Sequence, residues 1–305
     1  MNIYYHSEYD IDLGVLNRLH PFDGRKFSKI HREISGLPGI NLKKPEGPVS
    51  VDIINQFANE LLQRILSSKR YILTALGMPH IPLIPFSVID RRVLLPMRWA
   101  VQGTIEASKA AVEGVNCWNL SGGYHHASPG SAEGFCVYND IGIAFETLSK
   151  NGEITSNDRV LIIDVDAHHG NGNAHTFLEN DHVVILDVYN DDIYPQSEFT
   201  KKRVNFPVPL HTGTLGDAYM GALNSALDQL NDDFRLSFVI AGSDVLASDK
   251  LGGFKLSVEE VYKRDALICE RLKALSTSFV FLGGGGYSKQ SAEAMIKSIS
   301  NLYRT

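Results

Sequence analysis

Four short apolar runs, VLIIDV, VVILDV, LSFVIAG and SFVFLGG, constrain this chain more than any other feature. Each is long enough for a strand, is bounded by turn residues, and lacks the alternation expected of a strand with one wet face. A strand without a polar side is buried on both faces, and a parallel sheet between two helical layers buries both. Helical patterns stand between the runs, over 102–113, 140–150, 171–179, 215–230, 257–275 and 288–302, with Ser257 and Glu260 spaced as a capping box. The alternation predicts an α/β fold of three layers, α/β/α, around a mostly parallel sheet. Further strands are expected over Asn2–Tyr5 and in CWNLS, ending at Ser121. A helical pattern lies around 55–68, and Pro79, Pro82, Pro85 and Pro96 predict a loop-rich segment over 77–96. No repeat or break in composition divides the 305 residues, so one domain over 1–305 is expected.

Composition narrows the function. With 44% hydrophobic residues the chain can build a large core, and 35 acids against 29 bases give a net charge of −6. That balance lacks the positive field needed to grip a phosphate backbone, so nucleic acid is not an expected partner. No apolar run approaches the roughly 18 residues of a spanning helix. The opening MNIYYHSEYDIDLG shows no basic start followed by an apolar stretch, so a secretory signal is not expected. Cys117, Cys136 and Cys269 are odd in number and unpaired in spacing. They are expected to be small buried residues in a reducing, cytoplasmic setting.

The chemistry gathers at strand ends. In Asp164-Val165-Asp166-Ala167-His168-His169, alternate side chains share a face, which sets Asp164, Asp166 and His168 together at the end of VLIID. Like charges crowded in this way repel, and a cation would offset the cost. Asp244 follows SFVIAG in an equivalent position. Because ligands of open parallel sheets collect at the carboxyl ends of strands, Asp166, His168 and Asp244 are candidate metal ligands. Three N/O donors that leave a coordination position for water suit a catalytic zinc. His125 and His126 follow the glycine turn after CWNLS, and Tyr287 follows four glycines after SFVFL. Such groups suit amide hydrolysis: the metal activates water, His126 moves protons, and Tyr287 donates to the oxyanion. Asp164 is expected to orient His125, and Asn171 to hold His126. Taken singly, a DxDxH, an Asp after a strand, tandem histidines or a glycine run is weak; the set at one rim is not. Lys201, Lys202 and Arg203 are read as a solvated loop, and Trp99 and Trp118 as core. His169 is read as a packing residue. His6, His20, His31, His80, His175, His182 and His211 are read as structural or surface residues.

GGYHHASPGSAEGFCVYNDI, DVDAHHGNG, AGSDVLASDKLGG and GGGGY together resemble the histone deacetylase family of zinc-dependent amidohydrolases, and the resemblance spans nearly the whole chain. It implies an arginase/deacetylase-like fold, zinc held by Asp166, His168 and Asp244, a catalytic pair His125 and His126, and Tyr287 as the carbonyl-polarising phenol. It also implies an acyl-lysine tunnel lined by Gly134, Phe135 and Tyr194, with Leu251 at the rim. Asp164 would serve His125 and a structural potassium site, although Ile185 stands near the position of a potassium-liganding hydroxyl in other classes. Iron(II) suits the same mixed ligands. YHSEYDIDLGVLNRLHPFDGRKF, DVYNDDIYP and SDKLGGFKLS look most like class IV, which also carries Asn rather than Asp at 171 and raises the expectation of acyl chains longer than acetyl.

Three functions compete at this stage: a deacylase of acylated lysine, a small-molecule amidohydrolase acting on acylpolyamines or other acylated amines, and a noncatalytic acyl-lysine binder. A binuclear ureohydrolase of the same fold needs further bridging carboxylates, and Leu246 occupies the natural position for one. Retention of every reacting group speaks against the binder.

Overall fold

The computed structural model describes residues 1–12, 14, 21–80, 82–231 and 233–303. Its strands are β1 (Asn2–Tyr4), β2 (Asn41–Lys43), β3 (Cys117–Asn119), β4 (Val160–Asp164), β5 (Val183–Asn190), β6 (Phe206–Leu210), β7 (Leu236–Ile240) and β8 (Phe279–Leu282). They form one eight-stranded sheet in the order β2-β1-β3-β8-β7-β4-β5-β6. Every pairing is parallel. The helices in chain order are α1 (Lys26–Ile34), α2 (Val51–Phe57), α3 (Glu60–Leu66), α4 (Lys69–Ala75), α5 (Phe86–Ile89), α6 (Leu95–Val112), α7 (Asp140–Lys150), α8 (Asn171–Thr176), α9 (Glu198–Lys201), α10 (Gly216–Leu227), α11 (Val258–Ala274) and α12 (Ser291–Leu302).

The sheet divides the core in two. Val160 and Ile162 of β4 join one hydrophobic cluster while Leu161 and Ile163 join the other, the two-sided burial that an unbroken apolar strand requires. Trp118 is fully buried, as are Cys117, Cys136 and Cys269, none of which is in a disulfide. The order sets β3, β8, β7 and β4 side by side, so the loops leaving their carboxyl ends share one rim.

Several local expectations need correction. The helical pattern over 55–68 breaks at Ala58–Asn59, where the Asn59 side chain caps α3 by accepting from Leu62 N at 3.0 Å. The proline-rich segment turns helical at Phe86, directly after the extended Pro85, and passes through a π-helical turn over Asp90–Leu94 into α6, so that Pro96 lies just after this turn. No helical pattern is read before residue 55, yet Lys26–Ile34 folds as α1. β6, FPVPL, escapes a strand reading because of Pro207 and Pro209, which are tolerated because it is an edge strand with β5 as its neighbour. Lys201 and Arg203 are not free in solvent. Lys201 pairs with Asp191 at 2.6 Å, and Arg203 donates to the carbonyls of Phe177, Asn180 and Val183 at 2.6–2.8 Å. Trp99 is half-buried and stacks on His6 at 3.9 Å between centroids. Among the described residues no helix is long and apolar enough to cross a membrane.

Candidate active site

The loop after β3 delivers the two histidines and is anchored from below. Asp140, the first residue of α7, accepts from Gly123 N at 3.0 Å and Tyr124 N at 2.8 Å, and Thr104 donates to it at 2.7 Å. His125 then meets the end of β4, with Nδ1 2.7 Å from Asp164 Oδ2. Asn171 Oδ1 lies 2.7 Å from His126 Nδ1. The two rings contact at 4.1 Å between centroids, each with Nδ1 committed to its own partner. The sequence pairings Asp164 with His125 and Asn171 with His126 are therefore both found.

Beyond β4 the chain folds back on its own acids. Asp166 N donates to Asp164 Oδ1 at 3.2 Å and His168 N to Asp166 Oδ1 at 3.0 Å. Neighbouring loops cross-link here: Ala167 N donates to Asp244 Oδ1 at 3.0 Å, and Gly285 N to Asp166 Oδ2 at 2.7 Å. A Cβ on Gly285 would stand 2.5 Å from that Asp166 oxygen, so the glycine run serves close approach. His168 Nδ1 sits 3.1 Å from Asp166 Oδ1 and 2.8 Å from Asp244 Oδ2. One donor atom from each of Asp166, His168 and Asp244 lies within 4.8 Å of the others, and all three residues are buried.

That donor set fits a divalent cation. Burial alone would pull His168 down, yet hydrogen bonds to Asp166 and Asp244 raise it to about 10, which marks a point of strong stabilisation for positive charge. Burial pushes the Asp166 carboxyl up, but His125 and His168 hold it well below the usual carboxylate range. The two catalytic candidates separate in the same way. Burial works against the His125 imidazolium, but Asp164 and Asp166 outweigh it and raise it to about 9. For His126, burial together with the charges of His125 and His168 holds the ring well below 6.5, against Asn171.

Tyr287 stands across from these rings, 6.4 Å from His168 and 5.7 Å from Phe135 between centroids. Burial and the charges of Asp166 and Asp244 keep its phenol protonated, hence a donor. Gly134, Phe135 and Tyr287 line both an outer cavity of about 650 Å³, which includes His126, His168, Tyr194 and Leu251, and an inner one of about 80 Å³. The inner cavity is walled largely by Ile11, Phe27, Leu76, Met78, Val93 and Met97. Gly134 has φ +57°, and a Cβ there would come within 2.2 Å of the His126 ring. Phe135 is one of two described non-glycine residues with positive φ, +67°, a cost accepted at functional positions. Tyr194 lies 5.2 Å from the His126 ring between centroids.

His169 points away into the core, where it meets Asp187 at 2.7 Å and Thr200 at 2.9 Å, so it packs. His31 stacks on Tyr5 at 4.3 Å, whereas His80, His175 and His182 are exposed and His211 pairs with Asp192 at the surface. His20 lies outside the described residues. Sequence reasoning missed Asp140 and also Asp249, whose two oxygens accept from Leu251 N at 2.9 Å and Tyr287 N at 2.7 Å and so tie the rim to the phenol. An Asp three residues before the Gly252-Gly253 pair was the available sign.

A buried Asp–His–Asp cluster beside two histidines and a phenol, in a cleft at the carboxyl edge of a parallel sheet, is equipped for metal-assisted hydrolysis. The histone deacetylase domain model matches residues 74–302. "Histone deacetylase 2" of Arabidopsis thaliana is 32% identical over 309 residues, covering 100% of this chain and 79% of that protein. The "Acetoin utilization protein AcuC" of Staphylococcus aureus (strain COL) is 31% identical over 192 residues, 57% of this chain and 47% of that one. The crystal structure of the HDA15 HD domain superposes with a TM-score of 0.76 at 17% identity, covering 100% of this chain and 91% of that one, which establishes the fold. The chain belongs to the histone deacetylase family and is a deacetylase-type hydrolase with an arginase/deacetylase-like α/β fold.

Proposed function

We propose that this protein is a zinc-dependent deacylase of ε-acylated lysine, of the class IV type, that accepts acyl chains longer than acetyl and works in the cytoplasm. The observation that carries the reading is the pair of histidines with opposite electrostatic settings beside a buried Asp–His–Asp cluster. Asp166, His168 and Asp244 would hold the ion. When bound, it supplies Lewis acidity that polarises the scissile carbonyl and acidifies water. His126, kept neutral, takes the proton of the attacking water; His125, kept charged by Asp164, stabilises the negative charge that develops. Tyr287 donates to the carbonyl oxygen as it gains charge. Gly134, Phe135 and Tyr194 flank the acyl-lysine stem, Leu251 meets the rim, and the apolar inner cavity receives the acyl end. Buried free cysteines support a reducing compartment. A structural potassium near Asp164 is supported by Asp187 Oδ1, buried without a hydrogen-bond partner.

A panel of acyl-lysine peptides from acetyl to myristoyl, assayed with defined zinc or iron(II) loading, tests this directly. We expect release from the longer chains and a loss on the order of 10²-fold or more in Tyr287→Phe. No release from any peptide by the zinc-loaded protein would refute the lysine reading, and unchanged turnover in Tyr287→Phe would refute the role of the phenol.

A further inference from the structure

Glu133 precedes the Gly134–Phe135 wall and has no role in the mechanism above. One of its oxygens, Oε1, accepts from Asn171 Nδ2 at 2.9 Å; the other, Oε2, accepts from the Tyr194 hydroxyl at 2.8 Å. Asn171 in turn presents Oδ1 to His126 Nδ1 at 2.7 Å. We infer that Glu133 is a positioning residue that fixes the tautomer of His126 through the Asn171 amide and tethers the tunnel wall at Tyr194 with its second oxygen. The inference rests on the deacylase reading of the site.

The direction of each bond follows from what the groups can do. A carboxylate only accepts, so the Asn171 nitrogen must face Glu133 and its oxygen must face His126. An amide oxygen also only accepts, so His126 carries its hydrogen on Nδ1 and leaves the Nε2 lone pair free for the proton of water. His125 has its carboxylate, Asp164, in direct contact; His126 has one at a remove of a single amide. This accounts for Asn at 171. An aspartate there would set two carboxylates against each other at the 2.9 Å contact. The Glu133 side chain is not needed to hold its own turn, because Glu133 and Cys136 already exchange two main-chain hydrogen bonds at 3.0 and 2.9 Å.

The test uses the metal-loaded full chain with ¹⁵N-labelled histidine and reads the His126 tautomer by NMR alongside kcat and KM. Wild type should show hydrogen on Nδ1. In Glu133→Gln, whose amide can also donate, Asn171 is free to flip; the signature should become mixed and kcat fall about 10- to 100-fold, the usual cost of losing an orienting partner. Asn171→Asp alone should also lose turnover, and the pair Glu133→Gln/Asn171→Asp should recover it, since the new amide can donate to the new carboxylate. Tyr194→Phe cuts the other arm and should raise KM while leaving the His126 signature as in wild type.

An unchanged signature and kcat in Glu133→Gln would overturn the inference. So would Asn171→Asp that is tolerated alone and gains nothing from Glu133→Gln, or a signature that moves as far in Tyr194→Phe as in Glu133→Gln. A wild-type protein that releases no acyl group would count against the deacylase reading instead, and the NMR signature would still decide the role of Glu133.

Discussion

Lys26 shows how much a single side chain can depend on distant chain. It is fully buried, donates to the carbonyls of Gly284 and Gly285 at 3.4 and 3.5 Å, and lies 4.6 Å from the Phe22 ring centroid. Burial pulls its ammonium down to about 8, although Asp244 and Asp166 oppose the fall. Between about 8 and the unfolded value of 10.5 the unfolded chain binds more protons, so stability rises with pH across that window; below 8 the penalty is fully present. Lys26→Met should therefore stabilise the protein at pH 7, by on the order of 3 kcal/mol, with an advantage that shrinks as the pH approaches 10.5. Urea unfolding at about pH 7 and about pH 10 checks this; a loss of stability, or an equal gain at both, would contradict it. At this scale the sequence was readable where chemistry is packed into a few consecutive residues. Asp166 and His168 share one short run, and Asp164 is their neighbour. Lys26 and Glu133 were not readable, because the groups that give them meaning stand 258 and 38 positions away.

Among the elements, α11 does more than cover the sheet. From it, Arg264 donates through Nη1 to Val165 O at 3.0 Å and Gly242 O at 2.6 Å, joining the ends of β4 and β7 just before the candidate ligands Asp166 and Asp244. Asp265 pairs with the same guanidinium at 2.8 Å and accepts from Ser298 of α12 at 2.5 Å. Arg264→Met should cost about 3–5 kcal/mol, because it strands a buried carboxylate and two carbonyls, while Arg264→Met/Asp265→Leu should recover part of the loss. Equilibrium unfolding of both variants measures it, and a double variant worse than the single would be the contrary result. The apolar runs and the Ser257 capping box identified β4, β5, β7, β8 and α11 because periodicity and caps are local signals. β2 and β6 escaped because an edge strand needs no second apolar face, and β6 can even carry two prolines.

For the whole molecule, the Asp166–His168–Asp244 cluster brings separate loops to one point, so cation binding at the proposed site should report on the folded state as a unit. Zinc at about 100 times its Kd should add about 2.7 kcal/mol to stability. The midpoint of thermal unfolding should fall on chelation, return when zinc is restored, and respond little in Asp244→Asn; a melting curve indifferent to zinc in the wild type would contradict the assigned ligands. The amino-acid order by itself determined the layered α/β architecture, the strand ends that carry acids, histidines and glycines, and the partners Asp164 and Asn171, since each is written in short-range pattern or motif. Only tertiary structure decided that β3, β8, β7 and β4 lie side by side, so that His126, His168, Asp244 and Tyr287 surround one cleft. It also decided that Glu133, Asp249 and Arg264 stand behind them. Hydrophobic periodicity specifies which face of an element is buried, but hydrogen bonds and charges act over a few ångströms, and which groups come that close is set by strand order and loop path.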